Sequence, residues 1–106
     1  AARRILPQVA GSGDAEGLAA VEDVLLPALE DFAPQFVLVS AGFDGHARDP
    51  LSDTRLSEAG YARMTRLLVE LAERTAQGRL VATLEGGYHL EALAASVEAH
   101  VAELAR

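Results

Sequence analysis

Two short segments of the sequence contain most of the side chains that could do chemistry. In the first segment, residues 40–51, two carboxylates and one imidazole stand within six residues, as Asp44, His46 and Asp49. Such oxygen and nitrogen ligands suit a divalent metal such as zinc, and the glycines between them let the backbone turn closely around a ligand. The same residues also form ordinary turns, because Asp next to Gly or Pro is common in loops. The residues alone leave a metal site and a capped loop both open.

The second segment, residues 84–89, places Tyr88 directly after Gly86 and Gly87, where a helical pattern begins. A phenol in this position could donate a hydrogen bond to a developing oxyanion, and the glycines would leave room for a substrate. The alternative is a strand-to-helix turn in which the Tyr side chain plugs the end of the sheet. For His89 we expect a partly exposed histidine at the start of a helix.

Other classes of chemistry lack the residues that they need. The chain has no Cys and no Ser in a Gly-x-Ser-x-Gly elbow, so covalent acyl transfer has no visible nucleophile. The loop at residues 11–13 is glycine-rich, but the chain has no Lys that could bind a phosphate there. A nucleotide-binding half-domain is therefore disfavoured, and metal-assisted chemistry remains.

Composition restricts the class of protein further. A chain of 106 residues, of which 50% are hydrophobic, holds one small globular domain at most. Nine Arg against sixteen Asp and Glu give a net charge of −7, which argues against a nucleic-acid partner or an anionic membrane surface. Charges interrupt every apolar stretch, so we expect no membrane-spanning helix and a cytoplasmic location.

Three helices are predicted around these segments. Apolar residues at three- and four-residue spacing predict helices over 14–31, 57–77 and 90–105. Asp14 is the expected N-cap of the first helix, and Pro27 should kink or loosen it. Gly78 stands where the second helix should end.

Two continuous apolar runs, residues 36–40 and 79–84, predict strands that are covered on both faces. A strand, a helix and a second strand in this order form a parallel pair with a right-handed crossover, which indicates an α/β architecture. Both polar loops should then lie at the same edge, beyond the carboxyl ends of the strands. Two such strands need further strands beside them, so we expect the chain to be a portion of a longer protein.

Together the two segments resemble the carboxyl-terminal third of the histone deacetylase superfamily. The resemblance rests on Ser-Ala-Gly-Phe-Asp at residues 40–44, Asp-Pro-Leu at 49–51 and Leu-Glu-Gly-Gly-Tyr at 84–88. The nearest branch is the bacterial and class II one, with acetoin-utilisation proteins and acetylpolyamine amidohydrolases. The Gly-Ser-Gly loop and the following helix are similar to the segment that precedes the first motif, so the resemblance covers nearly the whole chain.

The resemblance implies a three-layer α/β/α fold with a parallel sheet, of the arginase and deacetylase type. Residues 1–106 would be the carboxyl-terminal portion of a single catalytic domain. Asp49 matches the carboxylate that ligates the catalytic zinc, and Tyr88 matches the tyrosine that stabilises the oxyanion. Asp44 and His46 match positions that shape the loop.

Substrate contacts are implied in the same way. Gly86 and Gly87 match the glycines that flank the acyl-lysine tunnel, and Leu56 matches an apolar residue at its wall or rim. His89 stands where relatives often have Asn. The other two zinc ligands of the family, an Asp and a His, and its paired acid–base histidines lie upstream of this sequence.

The resulting hypothesis is part of a zinc-dependent amidohydrolase that removes acetyl groups from acetyl-lysine, an acetylated polyamine or a small molecule. Its partners would be that substrate and the rest of the catalytic domain. One carboxylate cannot hold catalytic zinc, so the 106 residues alone should be inactive. The alternative is a non-catalytic binding or interaction module with the same α/β frame.

Overall fold

The structure is a computed structural model that describes residues 3–106. Its elements, in chain order, are helix α1 (Asp14–Ala19), a π-helical turn (Ala20–Leu25), helix α2 (Leu26–Phe32), strand β1 (Val37–Gly42), helix α3 (Glu58–Thr75), strand β2 (Leu80–Gly86) and helix α4 (Leu90–Leu104). The order of helices and strands agrees with the sequence prediction. None of the helices in residues 3–106 has the length and apolar character needed to cross a membrane.

The first predicted helix is present but changes its winding midway. The π-helical turn separates α1 from α2, and the Leu26 amide donates to the Val21 carbonyl five residues back. Pro27 has no amide hydrogen, so it cannot continue the regular ladder at this point. The prediction that Pro27 loosens the helix is confirmed.

The predicted N-cap of this helix is wrong. Gly13 occupies the N-cap position, and Asp14 is the first helical residue. The Asp14 carboxylate instead accepts a hydrogen bond from the Ser57 amide, at 2.9 Å, and another from the Ser57 hydroxyl. Ser57 is the N-cap of α3, and its hydroxyl oxygen accepts from the Gly60 amide at 3.1 Å. Asp14 therefore ties α1 to the start of α3, a contact that helical spacing cannot reveal.

The two strands are parallel neighbours, as predicted, and they run further than the apolar pattern indicated. Regular pairing from Val37 opposite Leu80 ends at Ala41, and after a register shift Gly42 lies opposite Gly86. The Phe43 amide then donates to the Gly86 carbonyl at 2.8 Å. Backbone pairing does not need apolar side chains, so β2 continues to Gly86, two residues beyond the predicted end at residue 84.

The core lies on one face of this sheet. Buried Ala41 and Phe43 pack against Tyr61 of α3, and apolar residues surround them: Val39, Leu56, Leu93 and Val97. The opposite face is open, because Leu38 of β1 is 76% exposed and Val81 of β2 is 52% exposed. The described residues therefore cover one face of the strands with helices, and the predicted cover of the other face stays a prediction.

The two later helices follow their predicted spacing. Helix α3 ends two residues before the predicted Gln77, because Gln77 itself adopts a left-handed conformation with φ 55°. Gly78 follows with φ 76° and donates to the Ala72 carbonyl at 2.9 Å. The left-handed turn that ends the helix thus begins one residue before the predicted glycine.

Candidate functional site

The first loop presents a buried carboxylate at the carboxyl end of the sheet. Asp49 is only 6% exposed. Its Oδ1 accepts from the Leu51 amide at 2.8 Å, and its Oδ2 accepts from the Tyr88 amide at 2.7 Å. Asp49 and Tyr88 are 39 residues apart in the chain, so the structure brings the two loops together at this carboxylate.

The second loop carries an exposed phenol on a glycine turn. The Tyr88 side chain is 54% exposed, and its hydroxyl lies beside Gly86, 3.5 Å from the position that a Cβ there would take. Gly87 has φ 138°, a conformation that side chains rarely adopt, and a Cβ there would stand 2.7 Å from the Leu93 Cδ1 atom. The backbone conformation therefore favours glycine at position 87, and the Leu93 side chain would have to move to admit a Cβ there.

Asp44 lies in the first loop, on the side that faces the end of the sheet. Its carboxylate faces the glycine pair of the sheet end, since a Cβ on Gly42 would be 3.1 Å from Asp44 Oδ1 and one on Gly86 would be 3.4 Å from Asp44 Cγ. Burial, and then the negative charge of Asp44, raise the pKa of the Tyr61 phenol to about 12. Tyr61 is therefore a neutral group in the core under this loop.

His46 is buried at the centre of the first loop. Its Nδ1 accepts from the Arg48 amide at 3.0 Å, so the neutral ring carries its proton on Nε2. That Nε2 lies 3.1 Å from Glu58 Oε1, a close contact whose alignment is poorer than that of a standard hydrogen bond. The pKa of Glu58 is lowered, first by its backbone hydrogen bond and then by His46.

Leu56 closes the loop onto the core. It is partly buried against Phe43 and Tyr61, and its amide donates to the Gly45 carbonyl at 3.0 Å. His46 and Leu56 also form a parallel bridge, which brings the two ends of the loop side by side. The structure therefore places Leu56 behind the loop that carries Asp49, in contact with the core.

The other two histidines have structural contacts. His89 is the N-cap of α4, and its Nδ1 accepts from the Ala92 amide at 3.2 Å, in line with the predicted helix-start position. His100 is buried, and its Nδ1 lies 2.7 Å from the hydroxyl of Thr65. Burial lowers the pKa of His100.

Three residues near the site were missed from the sequence. Tyr61 and Glu58 lie in a helical pattern that explains them as core and surface positions, and Arg48 stands in the loop as one cation among nine. Only their contacts across the chain reveal them. For Glu58 the sequence offered one signal. It directly follows Ser57, the N-cap of α3, and an acidic residue is favoured in the first turn of a helix.

Asp49 has the chemistry of a metal ligand. Each of its oxygens accepts one backbone N–H and keeps a further lone pair, so the carboxylate is both oriented and able to bind a cation. Within residues 3–106, no three His, Asp or Glu side chains come close enough to one another to hold a metal ion. The described part of the chain therefore offers one oriented carboxylate.

Comparison with known proteins places this geometry in a family. The model of a family described as histone deacetylase domain matches residues 3–104. A probable deacetylase from Archaeoglobus fulgidus is 42% identical over 86 residues, which cover 81% of this chain and 24% of the relative. The polyamine deacetylase HDAC10 of Mus musculus is 49% identical over 87 residues, which cover 82% of this chain and 12% of the relative.

A solved structure shows the same fold. The crystal structure of the HDA15 HD domain matches with a TM-score of 0.83 and 38% identity, over 92% of this chain and 27% of that chain. The similarity confirms the predicted deacetylase-like α/β fold. The chain spans between 12% and 27% of the length of these three proteins.

Proposed function

Because this chain belongs to the histone deacetylase family, we propose that residues 1–106 form the carboxyl-terminal portion of one zinc-dependent deacetylase domain. The complete domain hydrolyses the amide of an acetylated amine and releases acetate. Relatives named as deacetylases and as a histone deacetylase-like amidohydrolase support this class of reaction. The chain covers 24% and 22% of the length of these two relatives, which supports the assignment of residues 1–106 as a portion of such a domain.

One observation carries the proposal: the Asp49 carboxylate accepts the Tyr88 amide hydrogen at 2.7 Å. The bond holds a metal-binding type of group and an oxyanion-binding type of group at one edge of the sheet. That edge lies beyond the carboxyl ends of parallel strands, where α/β proteins bind their ligands.

Asp49 is the proposed zinc ligand of this portion, and the remaining ligands belong to the rest of the catalytic domain. When zinc is bound, the chemistry it supplies is polarisation of the amide carbonyl and activation of water. The two backbone N–H groups fix the Asp49 carboxylate before any metal binds. This preorganisation lowers the cost of bringing the ligand into position.

Tyr88 is the proposed catalytic residue of this portion. Its phenol donates a hydrogen bond to the amide oxygen as that oxygen gains negative charge. The phenol is exposed, so it can reach a substrate, while its backbone is held by Asp49. Gly86 and Gly87 remain the proposed glycines beside the substrate, although the Cβ atoms that they lack would face Asp44 and Leu93. Leu56, which packs against the core, remains the proposed apolar contact for the substrate chain.

Several parts of the proposal rest on the sequence. The substrate is an acetylated lysine, polyamine or small molecule, and the relatives include proteins named for histone and for polyamine substrates. We expect the isolated chain to be inactive, because it carries one zinc ligand of the three that a catalytic site needs. A cytoplasmic location also stays a prediction.

The test is removal of one hydroxyl from the full-length protein. Tyr88→Phe should lower kcat on an acetyl-lysine peptide by about 100-fold or more, with zinc content unchanged, because one oxyanion donor is lost. The second tyrosine of the chain gives the matched control. The Tyr61 hydroxyl is buried in the core and contacts the backbone of Gly45, so Tyr61→Phe should lower kcat far less than Tyr88→Phe.

Loss of zinc in Tyr88→Phe would contradict the assigned role, and so would an unchanged kcat.

The non-catalytic module considered from the sequence has no support from the relatives described above, since each is named as a deacetylase or amidohydrolase. It would be favoured if the full-length protein lacked the upstream Asp-x-His ligands and the histidine pair.

A further inference from the structure

A small charged cluster lies behind the proposed metal ligand. It consists of His46, Arg48, Glu58 and Glu91. Glu58 is shared, because its Oε1 lies 3.1 Å from His46 Nε2 and 3.7 Å from Arg48 Nη2. The other guanidinium nitrogen, Arg48 Nη1, lies 3.7 Å from Glu91 Oε2. The cluster thus connects the first turn of α3, the loop of Asp49 and the first turn of α4.

The backbone between these contacts is the part that carries Asp49. The Arg48 amide donates to the His46 ring at 3.0 Å, and the Asp49 amide donates to the His46 carbonyl at 3.0 Å. The His46 ring and the His46 carbonyl thus bind the amides of the two residues that end the turn. Since the Asp49 carboxylate accepts the Tyr88 amide, these hydrogen bonds connect His46 with the second loop.

Glu58 is the member of the cluster that fixes the ring. The ring is buried, with a side chain only 5% exposed, and its Nδ1 is used by the Arg48 amide. Glu58 places a carboxylate oxygen 3.1 Å from the remaining nitrogen, and its place in the first turn of α3 favours a negative charge. Helix α3 is anchored independently by Asp14 and by the core, so Glu58 is a fixed point for the loop.

We propose that Glu58 is a positioning residue: through the His46 ring and the Arg48 guanidinium it holds the turn that presents Asp49 to the Tyr88 loop. The inference rests on the proposed function of Asp49 and Tyr88. Glu58 touches neither the substrate nor the metal in this assignment. It sets the geometry of the groups that do.

The experiment compares Glu58→Ala, Glu58→Gln and Glu30→Ala in the full-length protein. Glu30 is the matched control, since it also pairs with an arginine, at 2.5 Å from Arg74, between α2 and the end of α3. The first measurement is hydrogen exchange of the metal-free protein by mass spectrometry, on peptides that contain residues 46–51 and 86–89. Zinc affinity, by competition with a chelator, and kcat and KM follow on the same samples.

In Glu58→Ala we expect exchange of the Arg48, Asp49 and Tyr88 amides to rise by about two- to fivefold, the upper part of the range for loss of a partly exposed charge contact. Zinc affinity and kcat should fall by about the same factor, while KM changes by less than about twofold. Glu58→Gln keeps an acceptor oxygen and should lie between Glu58→Ala and wild type. Glu30→Ala should leave all of these quantities unchanged.

Equal exchange in Glu58→Ala and Glu30→Ala would overturn the positioning role. If Glu58→Ala does not fold, Glu58→Gln decides: wild-type exchange at residues 46–51 would overturn the proposal, and a rise confined to the two peptides would support it. A wild-type protein that binds no zinc and releases no acetate would refute the proposed function instead. The exchange of the Tyr88 amide would still test Glu58.

Discussion

The effect of Gly60→Ala on the free energy of unfolding should depend on whether Asp14 is present. A Cβ on Gly60 would stand 2.1 Å from Asp14 Oδ1, and its three nearest atoms all belong to the Asp14 carboxylate. Gly60→Ala must therefore shift this carboxylate, which weakens the two hydrogen bonds that it accepts from Ser57. Hydrogen bonds to a charged group contribute about 1.5–3 kcal/mol each.

Against this loss stands the helical preference of Ala, which is at most about 1 kcal/mol better than Gly. We expect Gly60→Ala to lower the free energy of unfolding by about 2 kcal/mol, because one or both bonds weaken. In an Asp14→Ala background the obstacle is gone, and Gly60→Ala should raise the free energy of unfolding by about 0.5–1 kcal/mol. Gly60→Ala should thus destabilise the protein when Asp14 is present and stabilise it when Asp14 is replaced by Ala.

The assay is a double-mutant cycle from urea unfolding, followed by circular dichroism, of wild type, both single variants and the double variant. The expected coupling energy is about 3 kcal/mol, the difference between the two effects of Gly60→Ala. Equal destabilisation by Gly60→Ala with and without the Asp14 carboxylate would refute the reasoning, because the contact with Asp14 would then not be the cause.

Three further predictions concern the site and its support. Gly87→Ala should destabilise the second loop by about 2 kcal/mol or more, because of the φ of 138° and the 2.7 Å approach to Leu93. Limited proteolysis should then cleave the chain near residue 87, and a loop that stays uncleaved would contradict this prediction. Asp49→Asn in the full-length protein should lower zinc affinity by about 100-fold, as measured by chelator competition, and unchanged affinity would remove Asp49 from the ligand set. Because burial lowers the pKa of His100, the unfolded chain binds more protons below about pH 6.5, so stability should fall as pH decreases from there. His100→Asn keeps a donor for Thr65 and should flatten this part of the pH–stability curve, and an equally steep curve in both proteins would assign the dependence elsewhere.

The sequence predicted the elements whose signal is local. Helices α3 and α4 follow from apolar spacing, and the parallel pair follows from two apolar runs around a helix. The positions of Asp49 and Tyr88 in their loops followed from the family motif, and the structure brings their backbones together. Their roles as ligand and oxyanion donor remain proposals.

The features that were missed depend on contacts between distant residues. Asp14 has the chemistry of an N-cap, but Ser57, which is 43 residues away, offers it two donors. The second strand was predicted to end at residue 84, because the prediction used apolar side chains, whereas the pairing of Gly86 with Gly42 uses backbone groups alone. Glu58 acquires its partner only when the loop returns to α3.

The bond between Asp49 and the Tyr88 amide also has a consequence for the folding pathway. It closes a loop of 39 residues that contains all of α3, so its entropic cost is recovered only after β1 and β2 have paired. Pairing between strands that are far apart in sequence is intrinsically slow, because a long loop must close first. A chain whose sheet is incomplete does not hold Asp49 beside Tyr88, so the proposed site assembles only together with the sheet.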